Sequence, residues 1–238
     1  MSTLNNAMGG GNIMKTRIVK FEEVELLVTE SEKNIQINDI SEEKIAAVWE
    51  RMLRDYPGYE IFFSFNSERM PAKQEVPIQF LDKINAELVD DTLIFRLKEI
   101  DFTPEIENKL EIAPLTEAGF DEFAEFHDHR NPDFFWTSKR IKARLDIWQI
   151  HTLNKNKQLM GYAMIMLTKQ IAEIFTVESD DEFEFKALLS TACETAFTAG
   201  KTEVLYMIEK AAPTNYHQIA KDLGFKEVGY YQGFRLCL

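Results

Sequence analysis

The chain has 238 residues, 45% of them hydrophobic and 28% charged, which is the composition of a globular protein with one large domain or two small ones. With 40 acidic residues against 27 lysines and arginines, its formal net charge is -13. Such a chain repels a nucleic-acid backbone, so we expect no nucleic-acid partner. Two cysteines indicate a reducing compartment, and the apolar runs are far shorter than the ~20 residues of a membrane helix. We therefore predict a cytoplasmic protein that does not bind membranes.

The sequence divides into three parts. Residues 1–14 are small and polar, lack the apolar core of a signal peptide and predict a flexible tail. Residues 15–105 predict a small α/β unit, and residues 106–238 predict a second domain. Phe102–Pro104 and the polar stretch Glu105–Lys109 are predicted to form the linker.

Helical and period-two patterns alternate in the first unit. The predicted elements are one or two strands over Thr16–Thr29, a helix from Ser41 to Pro57-Gly58, a strand over Tyr59–Phe65, a helix over Ile78–Val89, a turn at Asp90-Asp91 and a strand over Thr92–Leu97. The second helix is predicted from Phe80, Ile84 and Leu88, which fall at helical spacing.

The second domain predicts the order β-α-α-β-β-β-α-β-α-β-β, an α/β fold with a mixed sheet and helices on both faces. Its predicted elements are the strand Leu110–Ala113, a helix with Phe120 and Phe123, an aromatic loop His127–Trp136, a helix with Ile141, Leu145 and Trp148, the strands Trp148–Leu153, Leu159–Leu167 and Gln170–Val177, a helix from Lys186 to Gly200, the strand Thr202–Ile208, a helix capped by Asn215, and the strands Glu227–Tyr231 and Gly233–Leu238.

This order resembles the GNAT superfamily of N-acetyltransferases over roughly Leu110–Leu238. Gly161-Tyr162-Ala163 looks like the family's "G-x-A" third strand, and Leu223-Gly224-Phe225 looks like its closing turn. The resemblance implies a GNAT-like twisted mixed sheet with a V-shaped gap between the strands Gln170–Val177 and Thr202–Ile208. The N-terminal unit has a similar β/α pattern and would be a partial second GNAT-like fold.

The resemblance implies acetyl-CoA as co-substrate, bound in that gap with its pyrophosphate at a helix N-terminus, where exposed N–H groups hold anions. Carried onto this sequence, the cofactor-binding residues are Phe175, Thr176, Val177, Phe185, Lys186 and Asn215. The family's glycine-rich phosphate run falls on Asp180–Phe185, which contains no glycine and four acids. Acids near a pyrophosphate repel it, so we expect weak binding.

The resemblance also implies a base for the amine and an acid for the leaving thiolate. Glu173 is the candidate base, and strand alternation predicts that it shares a face with Phe175 and Val177, while Glu178 shares the other with Ile174 and Thr176. The family's tyrosine acid would stand at Ala220 and is missing, which leaves Tyr216, Tyr230 and Tyr231 as candidates, the first two preferred.

The aromatic loop falls where the family lines its acceptor site. Asp133, Phe135 and Trp136 suit a cationic amine, because rings and carboxylates both attract a positive charge. His127 and His129 are two residues apart, which suits no helical metal pair, and no metal site is predicted.

Two functions follow from these patterns. The favoured one is an N-acetyltransferase that acts on a small-molecule or peptide amine. The alternative is a non-catalytic GNAT relative that binds a ligand or a protein, and the missing glycines and the alanine at Ala220 favour it. The sequence leaves a homodimer open.

Overall fold

The computed structural model describes residues 16–21, 24–70, 74–104, 110–132, 134, 136–167 and 170–237. The predicted tail, the linker Glu105–Lys109, Asp133 and Phe135 lie outside the described residues. The chain forms two compact units, one of Met1–Thr92 with Gly229–Leu238 and the other of Leu93–Val228. None of the described helices is long and apolar enough to cross a membrane.

Eleven strands and six α-helices are numbered here in chain order within the described residues. The first seven are β1 Thr16–Phe21, β2 Val24–Thr29, β3 Asn34–Asn38, α1 Glu42–Asp55, β4 Glu60–Asn66, α2 Ile78–Lys83 and β5 Glu87–Lys98. The others are β6 Glu111–Pro114, α3 Phe120–Arg130, α4 Ser138–Lys142, β7 Trp148–Lys155, β8 Gln158–Leu167, β9 Ala172–Ser179, α5 Glu182–Thr198, β10 Glu203–Glu209, α6 Thr214–Asp222 and β11 Lys226–Cys237.

The first unit is built on the strand order β1-β2-β3-β4-β11. The pairs β1/β2 and β2/β3 are antiparallel, and β3/β4 is parallel with α1 as the crossover. Alternation along β2 buries Val24, Leu26 and Val28 against α1, whose inner face carries Ile45 and Met52. The division from the second unit falls inside β5 and β11, since residues 87–92 and 229–237 of these strands belong to the first unit.

The second unit has the strand order β5-β10-β9-β8-β7-β6. Here β6, β7, β8 and β9 pair antiparallel in succession, and β9 pairs parallel with β10. Helix α5 covers one face of this sheet, where Leu188, Ala192 and Ala196 are fully buried. Phe120 and Phe123 of α3 pack in a separate apolar cluster with Tyr162 and Met164 of β8. The predicted mixed sheet with flanking helices is therefore confirmed.

The chain repeats one topology. The order β-β-β-α-β-α-β runs from β1 to β5 and again from β7 to β11, with the same antiparallel, antiparallel and parallel pairings. In the first unit β11 lies beside β4, and in the second unit β5 lies beside β10. The first repeat therefore ends in β5, which lies beside β10 of the second unit. The second repeat ends in β11, which lies beside β4 of the first unit. The repeated topology matches the predicted second GNAT-like fold.

Two of the predicted helices end earlier than expected. Helix α2 ends at Lys83 because Asn85 adopts a left-handed conformation with φ +57, and Leu88 then lies exposed on β5. Helix α4 ends at Lys142, which leaves Leu145 exposed and puts Trp148 on β7. Apolar spacing alone does not separate a short helix followed by a strand from one longer helix.

Four further expectations fail at element ends. The predicted turn Asp90-Asp91 is part of β5, and the two predicted closing strands are the single strand β11. Asn215 is inside α6, whose N-cap residue is Pro213. His127 is on α3 rather than in the aromatic loop. β5, β11 and α6 continue through polar residues because long strands and half-exposed helices tolerate them on their solvent side. Helix α3 continues through His127 because that side chain is buried and hydrogen-bonded.

Gly161 tests the packing of β8 against the start of α5. A Cβ there would lie 2.4 Å from the carbonyl oxygen of Glu178 and 3.0 Å from a methyl group of Leu188. We expect Gly161→Ala to lower the free energy of unfolding by about 1–3 kcal/mol, because the backbone contact cannot relax. Urea denaturation measures this. Gly119→Ala is the control, since its nearest contact is 3.5 Å away on a side chain, and equal stability of both variants would contradict the packing.

Candidate functional site

Strand β9 is paired along its whole length on one edge and over only part of it on the other. It pairs with β8 from Ala172 to Ser179, but its parallel ladder with β10 has only the three pairs Val204↔Ala172, Leu205↔Glu173 and Tyr206↔Ile174. From Phe175 onward, no described residue of β10 pairs with β9. The predicted V-shaped gap is confirmed. The matching parallel pair of the first unit, β3/β4, is paired over all of Asn34–Asn38.

A β-bulge marks the point where the two strands separate. Met164 pairs with Thr176 while Ile165 pairs with Ile174, so Phe175 is the extra residue on β9. A bulge bends its strand and increases the local twist, which directs β9 away from β10. We call the unpaired edge of β9, residues 175–179, the open edge.

The bulge also changes which side chains share a face. Ile174 and Val177 both pack with α5, whereas Phe175 packs in the cluster around Tyr162. Thr176 Oγ1 donates a hydrogen bond of 3.0 Å to Glu178, on that second face. The prediction that Val177 shares a face with Phe175, and Ile174 with Glu178, is therefore wrong, because strict alternation does not survive an inserted residue.

The N-terminus of α5 follows the open edge, and a carboxylate already occupies its donors. Asp181 is the N-cap residue, and its Oδ1 accepts from the backbone N–H groups of Phe183 at 2.9 Å and Glu184 at 3.0 Å. Ser179 Oγ in turn donates to the buried carboxylate of Glu184 at 3.0 Å. The helix begins at Glu182 rather than at the predicted Lys186, because the acids serve as its cap and first turn.

Arg130, at the end of α3, neutralises part of this acidic stretch. It forms an ion pair with Asp180, lies 4.0 Å from Glu178, and stacks on the ring of Phe126 at 4.7 Å. The hydrogen bond from Arg130 lowers the pKa of Asp180. The local charge is thus less negative than the sequence run indicates, and only the fold reveals this, because the partners are 50 residues apart.

Tyr216 of α6 contacts the end of the open edge. Its hydroxyl donates to the carbonyl oxygen of Ser179 at 3.0 Å, and its ring stacks on Phe185 with 4.0 Å between centroids. Burial raises the pKa of Tyr216, so the phenol stays protonated at neutral pH. The predicted residues Tyr216 and Phe185 therefore meet beside the end of β9.

A buried polar network lies on the face that carries Glu178. His127 Nε2 is 2.7 Å from the carbonyl oxygen of Trp136, which only accepts, so this nitrogen carries the hydrogen. In the neutral ring Nδ1 then accepts from the Tyr162 hydroxyl at 2.6 Å, and that hydroxyl accepts from Asn131 Nδ2 at 3.2 Å. His127, Tyr162 and Asn131 thus form one network in which donors meet acceptors.

Glu178 is a partly buried acid on this face. It pairs across the sheet with Tyr162, and burial raises its pKa despite the opposing effects of Thr176 and Arg130. Burial also raises the pKa of Tyr162, with Glu178 adding to the effect. A carboxyl group with a raised pKa is suited to take up a proton near neutral pH.

Aromatic side chains line the rest of this face. Phe175 contacts Phe134 at 5.9 Å and Trp148 at 5.6 Å, and Trp148 contacts Trp136 at 5.1 Å, all between ring centroids. Trp148 is buried and the other three rings are half-buried. Of the three predicted acceptor residues, Trp136 lies in this cluster, and Asp133 and Phe135 lie outside the described residues.

The remaining predicted residues fall in different places. Glu173 lies in the paired part of β9, on the aromatic face, opposite Met166 of β8. Lys186 is in the second turn of α5, and Asn215 is in the first turn of α6. Tyr230 belongs to the first unit, where its backbone pairs with Ser67. Sequence analysis missed the roles of His127, Tyr162 and Arg130, which depend on contacts between distant segments.

Tyr162→Phe tests the buried network. The variant removes one hydroxyl and leaves His127 Nδ1 without its donor inside the protein, so we expect a loss of about 1–3 kcal/mol in the free energy of unfolding. Chemical denaturation followed by circular dichroism measures it. Tyr59→Phe is the control, because its hydroxyl bonds Glu30 at the surface, and it should change stability by less than about 0.5 kcal/mol. A Tyr162→Phe variant as stable as the control would refute the network.

Comparison with known proteins supports the fold. No family model matches the sequence, and no curated protein matches it either. A GCN5-related N-acetyltransferase from Kribbella flavida is 12% identical, covers 92% of this chain and 89% of its own, and has a TM-score of 0.65. A functionally unknown conserved protein from Staphylococcus epidermidis is 12% identical over 93% of this chain and 94% of its own, with a TM-score of 0.63.

A third similar structure is a tandem GNAT protein from the clavulanic acid biosynthesis pathway. It is 11% identical, covers 90% of this chain and 78% of its own, and has a TM-score of 0.56. These matches extend over both repeats, beyond the half of the chain in which the sequence resembles the family. The chain therefore has the fold of the GNAT N-acetyltransferases.

Proposed function

We propose that this protein is a GNAT-type N-acetyltransferase that moves an acetyl group from acetyl-CoA to an amine. The observation that carries the proposal is the open edge of β9, where backbone donors and acceptors are left unpaired by β10. An extended pantetheine arm, which carries two amides, is chemically suited to pair with such an edge. The fold neighbours with this activity support the same assignment.

The residues present fit the two parts of acetyl-CoA unequally. The open edge suits the pantetheine arm, provided that the Tyr216 hydroxyl leaves the Ser179 carbonyl. The diphosphate meets the N-terminus of α5, where Asp181 occupies two N–H groups. Lys186 in the second turn supplies a positive charge, and Asn215 of α6 is the proposed contact to the arm. We therefore propose binding that is real but weak.

In the proposed reaction Glu178 takes a proton from the substrate ammonium group. The amine nitrogen then bonds to the thioester carbon, while a backbone N–H within residues 175–177 donates to the carbonyl oxygen on which negative charge develops. The carbon–sulfur bond breaks as the carbonyl reforms, and the thiolate takes the proton of Tyr216. A second proton leaves the nitrogen for solvent as the amide forms. The Tyr216 phenolate regains a proton from Glu178 through solvent, and the products are an N-acetyl amine and CoA.

Glu178 replaces Glu173 as the proposed base for a physical reason. Burial raises the pKa of Glu178, which brings it closer to neutral pH, where a base is most effective. Glu178 also lies on the open edge, whereas Glu173 lies where β9 and β10 are still paired. Glu173 faces the aromatic cluster and is better placed to attract a cationic substrate.

A second candidate function is supported by a specific observation. Asp181 places a carboxylate where the diphosphate would sit, and an acid at that position suits a relative that has stopped binding CoA. Such a protein would keep the amine-binding face without the reaction. It would bind amines and release no CoA thiol in their presence.

Glu178→Gln tests whether Glu178 is the base of the proposed reaction, against Glu173 as base and against a protein without the reaction. We expect kcat/KM for amine-dependent release of the CoA thiol to fall by about 10²–10⁴-fold at pH 7, which is the usual contribution of a general base. In the wild type, activity should rise with pH through the raised pKa of Glu178, because only the carboxylate accepts the proton. That low-pH limb should disappear in the variant.

Glu173→Gln is the matched control, because Glu173 is the other glutamate of the same strand. It should raise KM for the amine and leave kcat within a few-fold of wild type. A large loss of kcat in Glu173→Gln, with Glu178→Gln active, would return the role of base to Glu173. Amine binding by wild type without thiol release would instead support the non-catalytic candidate.

A further inference from the structure

The indole of Trp148 is a buried donor that lacks a partner. Trp148 is 6% exposed, and its Nε1–H makes no hydrogen bond to any described residue. Buried donors are nearly always paired, because leaving one unpaired costs its full desolvation. An unpaired donor in a candidate binding face therefore points to a group that is supplied from outside.

Aromatic side chains surround this indole on the face that carries Phe175. Half-buried Trp136 and Phe175 contact the ring at 5.1 and 5.6 Å between centroids. Phe134 extends the same wall by its contact with Phe175. Trp148 lies deepest of the four, so its ring forms the floor of an aromatic cluster whose other members reach solvent.

A carboxylate lies in the same row of the sheet as this floor. Trp148 pairs with Met166 of β8, and Met166 pairs with Glu173 of β9. Directly paired residues point to the same face, so Trp148 and Glu173 lie on one face about 10 Å apart, which is two strand spacings. The two side chains extend from backbones two strands apart on the same face, so one ligand between them can meet both a donor and an acid.

We propose that the amine bound on this face is an α-amino amide, such as a peptide N-terminus or an amino-acid amide. Its ammonium group is held by Glu173 and by the faces of the aromatic rings, and its carbonyl oxygen accepts from Trp148 Nε1. A neutral carbonyl fits better than a free carboxylate, because Glu173 and Glu178 already place two acids on this face. As the acceptor of acetyl transfer this ligand rests on the proposed function, but its binding does not.

Two amines that differ in one group test the inference. Leucinamide and 3-methylbutylamine share the ammonium and the alkyl chain, and only leucinamide has the carboxamide. Calorimetric titration of each amine into the full chain, without acetyl-CoA, should show tighter binding of leucinamide. Trp148→Phe keeps a ring and removes the donor, so it should weaken leucinamide by about threefold to tenfold, the loss of one neutral hydrogen bond, and leave 3-methylbutylamine unchanged.

Trp49→Phe is the matched control. Trp49 packs on Phe63 and Phe80 in the core of the first unit, so its replacement should leave both affinities as in wild type. Equal losses for the two amines in Trp148→Phe, or no loss for either, would overturn the inference, as would a wild type that binds neither amine. Discrimination between the amines without any thiol release would leave this inference intact and refute the proposed acetyl transfer.

Discussion

The extra residue at Phe175 is the constraint on which the candidate site depends. A strand can hydrogen-bond to a neighbour on each edge only while its residues stay in register with both neighbours. One inserted residue preserves the ladder with β8 and ends the ladder with β10. The same insertion turns Phe175, Thr176 and Glu178 onto one face. The open edge and the acid beside it thus have a single structural cause.

The chain satisfies the polar groups of this opening with its own side chains. Asp181 accepts from the first N–H groups of α5, and Tyr216 donates to the last carbonyl of β9. A ligand that enters the gap must break these hydrogen bonds before it forms its own. Its apparent affinity is therefore lower than its affinity for molecules in which the bonds are already broken, because those molecules are only a fraction of the total. Arg130 offsets part of the acidic charge, and a diphosphate near it would compete with Asp180 for the same guanidinium.

Much of the fold was predictable from the sequence, and the reasons are local. The strands β8 and β9 and the helix α5 have strong patterns, and the turn at Leu223-Gly224-Phe225 needs a glycine because Gly224 has φ +102. The gap came from the family resemblance rather than from any pattern in residues 170–177. The bulge was not predictable, since nothing in the residues around Phe175 distinguishes an inserted residue from regular alternation.

The site was harder to predict because its groups come from distant segments. His127 and Tyr162 are 35 residues apart, and Arg130 and Asp180 are 50 apart, so no spacing rule joins them. A second GNAT-like fold was expected from the β/α pattern of the N-terminal unit, but the full β-β-β-α-β-α-β repeat was not, because the two copies share topology without a visible sequence period. The acids at the start of α5 cap the helix through Asp181, and their opposition to a bound diphosphate stays a prediction.

The central claim is that the gap beside β9 binds CoA and that Asp181 opposes this binding. Calorimetric titration of CoA into wild type, Asp181→Asn and Asp181→Gly tests it most directly, because Asn keeps a capping side chain without the charge and Gly removes both. Like charges about 6 Å apart cost on the order of 1–3 kcal/mol at an effective dielectric near 20. Affinity should therefore rise by roughly that amount in Asp181→Asn and further in Asp181→Gly, with the wild type gaining most from added salt. Equal affinity of all three proteins, or no binding by any of them, would contradict the claim.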